Sequence, residues 1–232
     1  TVAFRCGKIL SQGKEGVLHS GVVLVREGKI LAVGEDVSIP EGAVVIDARK
    51  GWLMPGLVDL HCHSGGTDWG INDMVLPTNP GLSTRPTVEP NNVYLKTAQA
   101  GGVTTVLYIP GSGTNIGGFG VLMKTGGSDS VEGLILRFPG AMKVAQAWNP
   151  ERAAGDLGAT RGGMWWLLRR TLDRAQKYHE NWVRFEKGVS QIPPVMEPDL
   201  EMMRGLFAGR FPVIIHTADQ RDMMGTVRMF HD

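Results

Sequence analysis

An α/β fold is predicted, with a small β-rich segment at residues 1–51 leading into a parallel sheet or barrel over residues 52–232. Three observations predict it. Residues 22–46 alternate in side-chain character in short runs broken by glycine and charged turns. From Leu53 onward, apolar strands alternate with helical segments. Near residue 200, a helix, a short loop and an apolar strand follow one another in the order of a βα unit.

In the first segment, Val22, Leu24 and Arg26 point to one side and Val23 and Val25 to the other. The turn Glu27-Gly28-Lys29 then leads into Ile30-Leu31-Ala32-Val33. Breaks at Gly34-Glu35-Asp36 and Pro40-Glu41-Gly42 precede Val44-Val45-Ile46, and the segment reads as a small antiparallel sheet needing partner strands. Beyond Gly51 the strand candidates are Leu57–His61, Val103–Ile109, part of Leu134–Ala145, and Phe211–Thr217. After Thr160, Met164, Trp165, Leu168, Leu172, Ala175 and Trp182 recur at helical spacing, with Arg169, Arg170, Arg174, Lys177 and Arg184 mainly on other faces. A second helix follows Pro198-Asp199, with Leu200, Met203, Leu206 and Phe207 inward and Gly209 ending it. Residues 64–101 are rich in turn formers and read as a long loop shaping a site.

The composition narrows the function classes. The chain has 232 residues, 24 Lys+Arg against 23 Asp+Glu and a formal charge of +1. That balance excludes the basic footprint of a nucleic-acid binder. No run approaches the roughly 18 apolar residues of a membrane span. Cys6 and Cys62 are the two cysteines, too few for a disulfide scaffold, and they suit a reducing cytoplasm. With 32 glycines the chain holds about twice the usual share of ~7%, which implies many places of tight turning or close backbone approach.

The strongest chemical signal is Pro55-Gly56-Leu57-Val58-Asp59-Leu60-His61-Cys62-His63. Alternation on a strand projects His61 and His63 from one face, where two imidazoles can bind one divalent ion. Asp59 shares their parity and is expected to orient an imidazole, while Cys62 points into packing. His216 closes the apolar strand Pro212-Val213-Ile214-Ile215, at the end where a parallel strand delivers residues to a site. Lys143 stands in the apolar stretch Ala141-Met142-Lys143-Val144-Ala145, where an ammonium is costly to bury. Carbamylated by CO2, it becomes an anionic oxygen ligand able to bridge two ions. For each of these residues a structural role, as a hydrogen-bonded histidine or an exposed lysine, stays open. His19, His179 and His231 read as structural or solvated.

The segment Pro110–Gly120 has Gly111-x-Gly113-x-x-x-Gly117, one residue too long for a dinucleotide fingerprint, and it lacks a phosphate-loop lysine. A substrate pocket lined by backbone fits better, with Ser112, Thr114 and Asn115 offering hydrogen bonds; a plain glycine-rich turn is the alternative. Ser112 has no nucleophile-elbow frame, which excludes that route to a serine hydrolase.

Taken together, these residues resemble the amidohydrolase superfamily of metal-dependent hydrolases, and within it the imidazolonepropionase- and prolidase-like branch. The resemblance runs through Gly28-Lys29-Ile30-Leu31-Ala32-Val33-Gly34, Ile46-Asp47-Ala48, the Pro-Gly and His-x-His of residues 55–63, Gly101-Gly102-Val103-Thr104-Thr105-Val106, Pro110–Gly120 and Val213-Ile214-Ile215-His216. It implies a (β/α)8 TIM barrel, here partial, preceded by part of a small β-sandwich. It also implies one or two divalent ions, zinc first and manganese, nickel or iron as alternatives. His61 and His63 then match first-strand ligands, His216 a fifth-strand ligand and Lys143 the bridge. The general-base aspartate of the eighth strand has no counterpart in this chain.

A typical barrel alone takes about 250 residues, so a second polypeptide is expected to complete this one within an oligomer. The expected reaction is hydrolysis of an amide, peptide or cyclic-amide C–N bond in a small-molecule or peptide substrate. Two other readings stay open: a non-catalytic assembly subunit with the same fold, and deamination of a cyclic amidine.

Overall fold

The computed structural model describes residues 1–151, 158 and 160–231. They form two compact units, Thr1–Gly56 and Leu57–Asp232, so the division falls a few residues beyond the expected boundary at 51/52.

The first unit is a four-stranded sheet of β1 (Val2–Leu10), β2 (Val17–Arg26), β3 (Lys29–Gly34) and β4 (Val44–Leu53), in the order β3-β2-β1-β4. Glu27 and Gly28 both take positive φ, 52° and 72°, and make the two-residue hairpin turn that the right-handed strand twist favours. Val22 and Leu24 pack with Ala3 on one face, and Val23 with Cys6 and Ile9 on the other, so the alternation of β2 serves two apolar clusters. The expectation of a purely antiparallel sheet needs correction, because β4 runs parallel to β1. Strand β1 escapes the alternation pattern because Arg5, Gly7 and Lys8 interrupt it. Gly7 is required there: a Cβ would stand 2.2 Å from the Arg49 carbonyl oxygen, where the register between β1 and β4 shifts.

The second unit is built on a five-stranded sheet of β5 (Leu57–Cys62), β6 (Val103–Tyr108), β7 (Ile116–Lys124), β8 (Ile135–Ala145) and β9 (Val213–His216), adjacent in that order. Strands β5 and β6 are parallel, as are β8 and β9. Strict βα alternation does not hold, because β7 lies antiparallel to both neighbours. This strand grows out of the glycine-rich segment, and its glycines hide it from a pattern reading. They are there for backbone approach: at Gly118 (φ +108°) a Cβ would meet the Leu82 carbonyl oxygen at 2.4 Å.

Helices α1 (Val93–Ala100), α2 (Val131–Leu134), α3 (Arg161–Glu186), α4 (Met203–Phe207) and α5 (Gln220–His231) complete the unit. The expected long helix is α3, which starts where the Thr160 hydroxyl accepts from the Gly163 N–H at 3.1 Å. Met164, Leu168, Leu172 and Ala175 are buried on it, while Trp165 and Trp182 pack at the margin of the core. The predicted second helix is shorter than expected: residues 198–202 form turns and α4 begins at Met203, with Leu200 just before it and Met203 wholly buried and Gly209 at φ +67° just beyond.

Ile116, Phe119, Met142 and Val144 meet α3, α4 and α5 in one cluster. Leu107, Ile109 and Ala141 form another with Leu122 and Ile214. The stretch 64–101 is not one open loop. It carries short 3-10 turns at Asp68–Ile71 and Arg85–Thr87 besides α1, and buries Ile71, Val88 and Leu95 against β5, β6 and β7. Among the described residues, β5 pairs only with β6 and β9 only with β8, which leaves both sheet edges open. Leu57, Val58 and Leu60 on β5 are about half exposed. No described helix is long and apolar enough to cross a membrane.

Candidate metal centre

His61, His63, Lys143 and His216 come together at the carboxyl ends of β5, β8 and β9. The His61 and His63 rings stand edge to face with centroids 5.2 Å apart. Lys143 Nζ lies 3.2 Å from His61 Nε2. His216 pairs with Ala145 across the β8/β9 ladder, two residues beyond Lys143 on β8. Strand parity explains the gathering: Ala141 and Ile214 belong to the inner cluster, and Lys143 and His216 are the next same-side positions on their strands.

Two details bear on the state of the imidazoles. The Nδ1 of His63 is 3.0 Å from the Ile109 carbonyl oxygen, to which it donates as the N–H tautomer, leaving Nε2 with its lone pair. His216 Nε2 is buried and has no hydrogen-bond partner among the described residues. A buried imidazole nitrogen without a partner is costly, and a cation ligand is one of the few groups that satisfies it. Asp59 does not orient an imidazole as expected; its carboxylate accepts the backbone N–H of His61 at 2.9 Å and shapes the strand end instead.

The electrostatics favour uncharged donors. Burial, with the nearby Lys143 charge adding to it, holds His61, His63 and His216 below the ordinary imidazole range. Lys143 is wholly buried, and burial lowers its amine to about 8. Its Nζ donates to Ser112 Oγ at 3.3 Å. Neutral imidazole is the ligating form. Among the described residues, no three His, Cys, Asp or Glu side chains close around one point, so the histidines by themselves do not make a metal site. Lys143 is the charged side chain next to them, in contact with His61 Nε2. As an ammonium it repels a cation, whereas as a carbamate it supplies oxygens.

Of the three expected substrate contacts, only Ser112 is beside this cluster. Thr114 is buried, with its hydroxyl 3.4 Å from the Ile116 carbonyl oxygen. Asn115 is wholly buried, donates from Nδ2 to the Ala145 carbonyl at 2.8 Å, and keeps Oδ1 unpartnered. Asn115 thus ties the start of β7 to β8, while the Thr114 contact is local to the start of β7. The Ile109 carbonyl and the Ser112–Lys143 contact lay beyond sequence reasoning, since neither follows from spacing. His179 lies apart, stacked on Phe207 at 6.1 Å.

No family model matches the chain. It is similar to an amidohydrolase (tasK) of Hapsidospora irregularis, 29% identical over 210 residues, which cover 78% of this chain and 21% of that protein. It is also similar to a dihydroorotase of Anaeromyxobacter dehalogenans, 36% identical over 95 residues, covering 41% of this chain and 18% of the relative. A crystal structure of an amidohydrolase from Thermotoga maritima matches all of this chain and 62% of its own, at 25% identity and a TM-score of 0.87. The matches thus span about a fifth of the length of the curated relatives.

Proposed function

We propose, from the support these relatives and this fold give to the amidohydrolase superfamily, that the chain carries the metal-holding part of a hydrolase acting on a C–N bond. The observation that carries the reading is the convergence of three histidines and a buried lysine at one end of the sheet, with His216 Nε2 unsatisfied. In this reading the β5–β9 sheet is part of a TIM barrel, the first unit is part of a β-sandwich, and the open edges of β5 and β9 take further strands from a second polypeptide. The finer placement in the imidazolonepropionase- and prolidase-like branch, in an oligomer and in a reducing cytoplasm, belongs to the same proposal; the free thiols of Cys6 and Cys62 fit that setting.

His61 and His63 would hold one divalent ion, His216 would contribute to a second, and Lys143 as a carbamate would supply oxygen donors. Zinc suits imidazole and oxygen donors best, with manganese, nickel or iron as alternatives. Such an ion supplies a water that loses its proton near neutral pH and a Lewis acid for the carbonyl under attack. Around it, the Ile109 carbonyl keeps His63 in the ligating tautomer, and the Ser112 hydroxyl accepts a hydrogen bond from the Lys143 nitrogen. Carbamylation consumes CO2 and the neutral amine and releases one proton, so a lysine whose amine is already lowered by burial is suited to it.

The substrate is an amide, peptide or cyclic amide, and the dihydroorotase relative is the reason to keep cyclic amides in the set. A non-catalytic assembly role is less supported, since an unsatisfied imidazole and a buried lysine are expensive to keep without an ion. Elemental analysis of the native assembly, together with hydrolysis of acyclic and cyclic amides, tests the proposal. Stoichiometric metal that His61→Ala abolishes, with loss of hydrolysis, is expected. A metal-free native particle, or metal retained in full by the variant, overturns it.

A further inference from the structure

Two apolar features sit on chain segments that adjoin those carrying the cluster. The first is a knuckle at residues 73–76. The Asp73 carboxylate accepts the Val75 N–H at 2.9 Å. The buried Asn79 amide donates to the Leu76 carbonyl at 3.0 Å and the Asp73 carbonyl at 3.4 Å, while the Asn79 N–H donates to Ile116 at 2.8 Å. The knuckle is therefore tied to β7. Its tip is nonetheless apolar and exposed, Val75 by 79% and Leu76 by 58%. The knuckle also lies against Gly113, where Met74 Sδ is 2.4 Å from the position a Cβ would take, and the adjacent Ser112 accepts from Lys143.

The second feature is Trp148. The Gln146 N–H donates to the His216 carbonyl at 2.8 Å, closing the β8/β9 pairing. Two residues further on, within about 7 Å of chain reach, Trp148 is 74% exposed. Ala147 and Trp148 both adopt the left-handed region, with φ of 62° and 44°. Backbone strain at consecutive non-glycine residues persists where the surrounding structure imposes it, and such strain clusters at ligand clamps. Trp148 is tethered in turn by the Glu151 N–H, 3.1 Å from its carbonyl oxygen.

Large apolar side chains held in the open on a fixed backbone mark a place where something apolar binds. We propose that Val75, Leu76 and Trp148 are specificity-determining residues that hold an apolar side chain or acyl group of the substrate beside His61 and Lys143. This inference rests on the hydrolase reading above.

The test uses the native, metal-loaded assembly and amide pairs that differ only in one substituent, leucine or phenylalanine against alanine or glutamate. The wild type is expected to prefer the apolar member in kcat/KM. Leu76→Ser and Trp148→Ala are each expected to lower that preference about tenfold, chiefly through KM, with metal content retained. A preference that survives both variants overturns the inference. So does a change in subunit association with no change in preference, which would mark the surface as a partner contact. If the wild type hydrolyses none of the amides, the hydrolase reading fails by itself. Equilibrium binding of the same amides then decides: apolar preference lost in the variants upholds the inference, and no preference overturns it.

Discussion

Gly66 offers the sharpest test of how the backbone around β5 holds the histidines. It lies three residues beyond His63. A Cβ on it would stand 1.8 Å from the Thr87 carbonyl oxygen and 2.8 Å from the Tyr108 hydroxyl. Neither neighbour can yield freely: Thr87 Oγ1 and the Tyr108 hydroxyl are hydrogen-bonded at 3.1 Å, and the Glu89 N–H donates to the Gly65 carbonyl at 2.8 Å. In Gly66→Ala the 84–89 segment must retreat by well over an ångström. Overpacking of this kind costs about 1–3 kcal/mol, and a lost backbone hydrogen bond adds about 1 kcal/mol. A penalty of roughly 3 kcal/mol corresponds to a fall in Tm of roughly 6–12 °C for a chain of this size. Gly162→Ala is the matched control. Nothing lies within 4 Å of its would-be Cβ, in the first turn of α3, so it is expected to gain roughly 0.5 kcal/mol from the restricted unfolded chain. Scanning calorimetry of the purified assembly reads both. A Gly66→Ala melting point within a degree of wild type would refute the claim that Thr87 crowds this site.

His216→Ala is expected to lose the second ion while the His61–His63 ion stays, and elemental analysis of the variant reads this directly. Lys143→Ala should reduce metal content in the same way, and depletion of bicarbonate during metal loading should mimic it in the wild type; full loading without bicarbonate would argue against a carbamate. Asn79→Ala strips the donor from the Leu76 and Asp73 carbonyls and is expected to cost about 1–3 kcal/mol, measured by denaturant unfolding. Burial pushes the Cys6 thiol above its ordinary range, so less thiolate is present at pH 8 than in the unfolded chain. Alkylation of Cys6 at that pH is therefore expected to wait for denaturant, as mass spectrometry of the labelled peptide would show.

Several elements were legible before any coordinates because their signal is local. The hairpin turn at Glu27-Gly28 is set by the need for positive φ, and α3 by its apolar spacing after a threonine cap. The common side of His61 and His63 follows from the pleat alone. Strands β1 and β7 were not legible, because Gly7 and the glycines of β7 are placed for contact with Arg49 and Leu82, residues far along the chain. The same limit governs the site. Ser112, Thr114 and Asn115 look alike as a polar glycine-rich run, yet the fold turns Ser112 to Lys143 and spends Thr114 and Asn115 on backbone carbonyls.

By itself, then, the order of residues determined the hairpin turn at Glu27-Gly28, the start of α3 after Thr160 and that two imidazoles share a face, since φ/ψ preference and side-chain parity act over a few positions. Only the tertiary structure decided that Lys143 and His216 reach those imidazoles, that β7 turns antiparallel, and that Asp59 serves a backbone amide. Those outcomes depend on which strands become neighbours and on how much water each polar group loses, and both are properties of the assembled sheet.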